Sequence, residues 1–265
     1  MKSLLLWLCA SSVLFADVYY SKVQPYEIRN ISSNVSGEVL DVKENMLGKK
    51  LGNGVYIKID DKLDRDELHD VKEKIALIKE TIEINKKVLN NLNLSLEKKE
   101  QNYEKIAALK IKSKIEKDNE FYNLIASRNS ALATKKEIYN LKIQLADLQL
   151  RQKQLEKTIA DKNLRDKGLV LYSIDVKAGQ VVSPGVSLAK VADVSKALLS
   201  IYVTEDELSN LADKEIYIND TKTSYKPARV LSIADEKNIS KYLVQIVIKA
   251  PKVFSKLAKI ELKEK

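Results

Sequence analysis

Apolar residues recur at alternating three- and four-residue intervals in two long runs through the middle of the chain. The first run is interrupted only by Asn85 and Lys99 and comprises Leu68, Val71, Ile75, Ile78, Ile82, Asn85, Leu89, Leu92, Leu96, Lys99, Tyr103 and Ile106. The second comprises Leu124, Ser127, Ala131, Thr134, Ile138, Leu141, Leu145, Leu148, Gln152, Leu155 and Ile159. This spacing predicts two long helices that pack along a coiled-coil seam. Asn85 either sets the register of the pair or is a polar interruption of a partly exposed seam.

The break between the two runs is marked by a helix-start signal. Ser113-Lys114-Ile115-Glu116 has the spacing of a capping box, in which the serine and glutamate each bond to the other's backbone N–H. The two arms, 64–109 and 113–161, have nearly equal lengths and form a hairpin about 70 Å long. Such a hairpin projects from the rest of the protein, so its tip is the place to expect a contact with a partner.

A second apolar stripe runs beside the seam of the second helix. Its members are Tyr122, Ile125, Leu132, Tyr139, Ile143 and Leu150. Two apolar stripes on one helix predict more than one neighbour, which favours side-by-side packing of several copies.

Short strand-like segments flank the hairpin and resemble each other. Residues 35–42 and 55–61 precede it, and residues 169–176 and 188–193 follow it, with glycine-rich turns inside each pair. The simplest geometry brings both pairs into one small β-sandwich into which the hairpin is inserted. Residues 197–250 alternate again around a short helical stretch at 205–211, which predicts a compact β-barrel.

The first sixteen residues have the pattern of an export signal. A positive start at Met1-Lys2 precedes a largely apolar stretch, Ser3 to Phe15, that is too short to span a bilayer, and Ala16 offers a small residue before Asp17. An uncleaved anchor is the alternative. The one cysteine, Cys9, lies inside this segment, so the processed chain is expected to hold no disulfide or cysteine site and to be soluble and exported.

The order of these segments resembles the periplasmic adaptors, or membrane fusion proteins, of tripartite efflux and secretion systems, the HlyD-like family. Val203-Thr204-Glu205-Asp206-Glu207-Leu208 also resembles that family's entry into the barrel. The resemblance implies an α+β fold: a long antiparallel helical hairpin inserted in a lipoyl-like β-sandwich, then a small β-barrel, with a reduced or absent membrane-proximal domain. The expected division is 1–16 signal peptide, 17–61 N-terminal strand and first lipoyl half, 62–163 hairpin with its turn near 109–113, 164–196 second lipoyl half, 197–250 barrel and 251–265 tail.

The resemblance also implies the function and the partners. An adaptor of this family is a non-enzymatic periplasmic protein that links an inner-membrane transporter, proton-driven or ATP-driven, to an outer-membrane channel, and it self-associates as a hexamer. Many members carry Arg, Leu and Ser at a fixed spacing at the hairpin tip, which here falls on Asn102, Ile106 and Ser113. These three are the predicted partner-binding residues. Asn102 departs from the arginine, and Lys105 or Lys110 is a weak substitute for its charge.

Other function classes find less support in the sequence. A net charge of +9 suggests nucleic acid, but lysine and glutamate are interspersed along the helices and no basic stripe is interleaved with aromatics. A lipoyl or biotinyl carrier would use a lysine such as Lys177, which we assign to a structural turn. His69 is the only histidine, so neither an enzyme site nor a soft-metal site is expected, and no cofactor; the complex as a whole could still export metal.

Overall fold

The computed structural model describes residues 17–234, 238 and 240–264. The predicted signal segment 1–16, with Cys9, lies outside them. The described residues form a long helical hairpin with two β-structured units at its base. Within these residues, no helix is both long enough and apolar enough to cross a membrane.

The hairpin consists of α1, Lys62–Ala108, and α2, Lys114–Lys162. Every position of the predicted seam is buried or half-buried except Lys99, so the seam inferred from the spacing is confirmed. At 1.5 Å per residue, 47 and 49 residues give two arms of about 70 Å. Most of the opposite helix faces are exposed, as expected for two helices that share one narrow seam.

A buried carboxylate fastens the two helices at their base. Asp61, which immediately precedes α1, accepts hydrogen bonds from Arg65 Nε at 2.7 Å and from Asn163 Nδ2 at 2.6 Å. Burial raises the pKa of Asp61, but these two donors outweigh it and hold the pKa below its ordinary value. Lys162 also donates to Asp64 across the pair at 2.5 Å. The ends of the two helices are therefore tied to each other where they enter the β-structure.

The first β-unit is a sandwich built from both flanking segments. One sheet has the order β5-β4-β3-β7 and the other has β2 and β6 on either side of β8. Their bounds are β2 Gln24–Ser32, β3 Gly37–Val42, β4 Ile57–Ile59, β5 Asn163–Leu164, β6 Val170–Ile174, β7 Val181–Val182 and β8 Ser187–Val203. Val39, Ile59, Leu171 and Leu188 meet in one core, so the predicted union of the two segments is confirmed.

The second β-unit is a small barrel. One side is the sheet β1-β13-β9-β10, and the other is formed by β11, β12 and the C-terminal half of β8. The bounds are β1 Asp17–Lys22, β9 Lys214–Ile218, β10 Thr221–Lys222, β11 Pro227–Ala234, β12 Tyr242–Lys249 and β13 Leu257–Glu264, with the short helix α3 at Glu205–Ser209. Leu199, Ile201, Val244 and Ile246 lie in its core.

The C-terminal segment differs from the prediction. Residues 251–265 were expected to be a tail, whereas β13 pairs with β1 on one side and with β9 on the other. Ala258, Ile260 and Leu262 alternate into the barrel core, and all three are buried. The reason is the alternation itself, which gives this short segment one apolar face, and that face completes the sheet. The barrel therefore includes both ends of the described chain.

Candidate partner-binding sites on the hairpin

The three predicted tip residues occupy different environments at the far end of the hairpin. Asn102 is exposed on α1, and Ile106 is half-buried in the seam one turn further on. The carbonyl of Ile106 accepts a hydrogen bond from the N–H of Leu109 at 3.1 Å, which closes the end of α1. Ser113 follows the turn and begins α2. Their role as a contact surface remains a prediction.

Ser113 is an N-cap, as its spacing from Glu116 predicts. Its hydroxyl accepts from the N–H of Glu116 at 3.3 Å, and the Glu116 carboxylate accepts from the Ser113 N–H at 2.9 Å. Lys112 also donates to Glu116 at 2.9 Å. The hydrogen bond from Lys112, with those from the Ser113 backbone and side chain, lowers the pKa of Glu116 to about 2. The first turn of α2 is therefore fixed by a carboxylate that stays ionised at neutral pH.

Two further contacts order the tip. Lys117 on α2 donates to the carbonyl of Ala107 at 2.9 Å, so a side chain from one helix satisfies the C-terminal end of the other. The rings of Tyr103 and Phe121 lie 5.8 Å apart, centroid to centroid, across the pair. The ring contact does not follow from seam spacing, because Phe121 lies outside the seam positions.

The turn between the helices exposes apolar side chains that the tip prediction did not include. Leu109 is 44% exposed, Ile111 88% and Ile115 74%. We call these three side chains the turn cluster. The sequence Leu109-Lys110-Ile111-Lys112 could have indicated this cluster, because apolar side chains in a tight turn are not buried within their own chain.

The second stripe on α2 is also exposed. Tyr122, Leu132, Tyr139, Ile143 and Leu150 are each between 52% and 67% exposed, and Ile125 is half-buried. The exposed members extend along roughly 40 Å of helix and face away from α1. We call this set the α2 stripe. Single exposed apolar residues are common on protein surfaces, whereas this row is long and regularly spaced.

Two further observations concern a cofactor-carrying lysine and a metal site. Lys177 lies in an exposed turn, where its N–H donates to Gln180 Oε1 at 3.3 Å, and Gly179 takes a left-handed φ of 83°. Over residues 17–234 and 240–264, no three His, Cys, Asp or Glu side chains come together as metal ligands would.

Several solved structures have a similar architecture. MacA from Actinobacillus actinomycetemcomitans superposes with a TM-score of 0.71 at 17% identity, over 96% of this chain and 79% of that one. The membrane fusion protein Spr0693 from Streptococcus pneumoniae R6 gives 0.60 at 12%, over 94% and 99%. The chain has the fold of the membrane fusion proteins.

A third solved structure with a similar fold is a chimeric protein. A MacA chimera that carries the α-hairpin domain of Pseudomonas aeruginosa MexA matches with a TM-score of 0.55 at 15% identity, over 96% of this chain and 82% of that one. At these identities the similarity establishes a common fold with its hairpin, sandwich and barrel. No protein-family model matches the sequence, and no curated protein matches it by sequence.

Proposed function

We propose that the chain is a non-enzymatic periplasmic adaptor of a tripartite efflux or secretion system. In this role it links an inner-membrane transporter to an outer-membrane channel through the hairpin tip. The observation that carries the proposal is the hairpin, which extends about 70 Å and ends in exposed apolar side chains instead of a polar turn. The membrane fusion protein fold supports it independently.

The working units that we propose differ from the predicted boundaries at both ends of the described chain. The hairpin occupies 62–163, the lipoyl-like sandwich is formed by 24–61 and 164–196, and the barrel comprises 197–250 with 17–22 and 251–264 added. We propose that the two β-units contact the transporter, because they lie at the opposite end from the tip. Either a proton-driven or an ATP-driven transporter fits this arrangement.

Self-association is the second part of the proposal. The α2 stripe offers an apolar surface that the partner helix of the same chain leaves uncovered. Packing it against the hairpin of a neighbouring copy would remove this area from water, and repetition around a closed ring gives the hexamer that we propose. Sedimentation of Tyr139→Glu/Ile143→Glu tests this, since the double variant is expected to shift towards monomer while the wild-type chain stays assembled. An unchanged distribution would contradict it.

Docking of the tip is tested by a charge placed in the predicted contact. Ile106→Asp is expected to abolish cross-linking of the hairpin tip to the outer-membrane channel and to raise drug susceptibility of the cell. Leu63→Asp is the matched control, because Leu63 is an exposed apolar residue at the opposite end of α1. Circular dichroism verifies that helicity is retained in both. Cross-linking and susceptibility unchanged from wild type would refute docking through Ile106.

A further inference from the structure

The turn cluster is exposed although nothing in the fold requires apolar residues there. Ile111 is the most exposed large apolar residue of the described chain, and Ile115 lies in the first turn of α2. A polar turn would cap the same two helices equally well and would favour solubility. The stability of the hairpin therefore does not account for the presence of these side chains.

The turn that carries them is fixed in shape. The capping box of Ser113 and Glu116 holds the start of α2, and Lys117 holds the end of α1 through the carbonyl of Ala107. Leu109 N–H bonds back to Ile106. A surface held in this way loses little conformational entropy on binding, so its exposed side chains are already placed for a contact.

The charged residues that stand between the apolar residues of the cluster are all lysines. Lys110, Lys112 and Lys114 alternate with the apolar residues, and the sequence has no acidic residue between Glu104 and Glu116. Lys112 is bound to Glu116. Lys110 and Lys114 form no ion pair with any residue that the structure describes, so their charges are available to a partner.

We propose that the turn cluster and these lysines form the main docking surface of the tip, and that its partner is a protein presenting carboxylates beside an apolar socket. The inference rests on the proposed function, because the outer-membrane channel would be the protein that presents this socket. Ile111 and Ile115 supply the buried area, and Lys110 and Lys114 supply attraction to the carboxylates. Asn102, Ile106 and Ser113 then shape and cap the turn behind this surface.

The experiment measures binding of the full-length chain to the purified outer-membrane channel protein of the same organism, over a range of salt concentrations. Ile111→Ser/Ile115→Ser is expected to weaken binding about tenfold to a hundredfold, with the salt dependence unchanged. Lys110→Gln/Lys114→Gln is expected to weaken binding at low salt and to flatten the salt dependence. Leu94→Ser, at an exposed position away from the turn, is the matched control and should bind as wild type does.

The outcomes separate the two proposals. If the wild-type chain does not bind the channel, the proposed function is refuted and this inference with it. If the wild-type chain binds and the two double variants bind equally well, the adaptor function stands and the docking surface is wrong. Vesicles of phosphatidylglycerol are the parallel probe: if they bind the wild-type chain and lose binding to the same variants while the channel does not, the surface recognises lipid and the proposal of a protein socket is overturned.

Discussion

The two halves of the hairpin are built differently. In the half next to the β-units, Val71 and Ile75 pack with Leu155, and Ile82 packs with Ile138 and Leu141, all of them buried. In the half towards the tip, the buried seam residues are Leu124 and Ala131.

Polar contacts between the helices occur in both halves. In the distal half, Lys99 Nζ donates to Ser127 Oγ at 2.6 Å, and Arg128 pairs with Glu100 at 2.7 Å at the surface. Exposed ion pairs contribute little to stability. The two halves therefore differ mainly in how deeply their seams are buried, and the exposed polar contacts do not make up the difference.

The largest effect is expected from a cavity in the near half. Leu155→Ala should cost about 2–5 kcal/mol, because Leu155 is 2% exposed and its neighbours cannot fill the space. Leu96→Ala in the distal half should cost about 1 kcal/mol, since Leu96 is only half-buried. Thermal unfolding followed by the helical circular dichroism signal measures both. Equal losses would show that the two halves are packed alike.

A gain of stability is expected at the polar interruption of the seam. Asn85 is half-buried, and its side chain forms no hydrogen bond within the described part of the chain, which favours interruption over register control. Asn85→Leu should therefore stabilise the hairpin by about 1 kcal/mol in urea unfolding. If the amide set the register, the leucine variant would lose stability or give more than one pattern of cross-links between the helices.

Removal of the cap should loosen only the tip. Ser113→Ala is expected to cost about 1 kcal/mol, because the N–H of Glu116 loses its acceptor. Hydrogen exchange should accelerate at residues 114–120 and remain unchanged near Leu155. Ser113→Asp is the matched control, since aspartate also caps a helix, and it should restore protection. Acceleration along the whole hairpin would show that the tip and the base open together.

The smallest effect is the pH dependence of the cap. The pKa of Glu116 is lowered from 4.5 to about 2, so its contribution is complete above pH 4.5 and is lost as the pH falls towards 2. Nuclear magnetic resonance of the Ser113 and Glu116 amides should report this loss. Glu116→Gln keeps the side-chain acceptor without the charge, so its amides should show no such transition. The same transition in the glutamine variant would assign it to another carboxylate.

The sequence predicts the hairpin well and the barrel less well, for a physical reason. A seam such as Ile75 to Ile82 repeats locally, so its period specifies the helix and its buried face. The pairing of Tyr19 with Ile260 joins the two ends of the described chain, and no local pattern indicates which strand is the neighbour. The prediction treated 251–265 as a tail because the segment is short, and it did not use the alternation of Ala258, Ile260 and Leu262, which forms a strand.

In the candidate site, too, the features that depend on local sequence could be predicted, and those that depend on the folded pair of helices could not. The cap at Ser113 follows from residue types at a fixed spacing, and the structure contains it. The exposure of Ile111 has no period to indicate it, because a turn has no repeating face. The ring contact between Tyr103 and Phe121 depends on how the two helices are rotated about their axes, and that rotation is a property of the folded pair.

Strand β8 connects the sandwich and the barrel without a linker. Its 17 residues pair with β6 and β2 at one end and with β12 at the other, so a single extended segment belongs to both units. The hairpin base is fastened to the sandwich, so a rigid molecule would act as a lever with a short arm in the barrel and a long arm of about 70 Å. A tilt of about 5° at the barrel would displace the tip by about 6 Å, roughly the diameter of one side chain. Movements too small to rearrange the barrel would thus be larger at the tip of the hairpin.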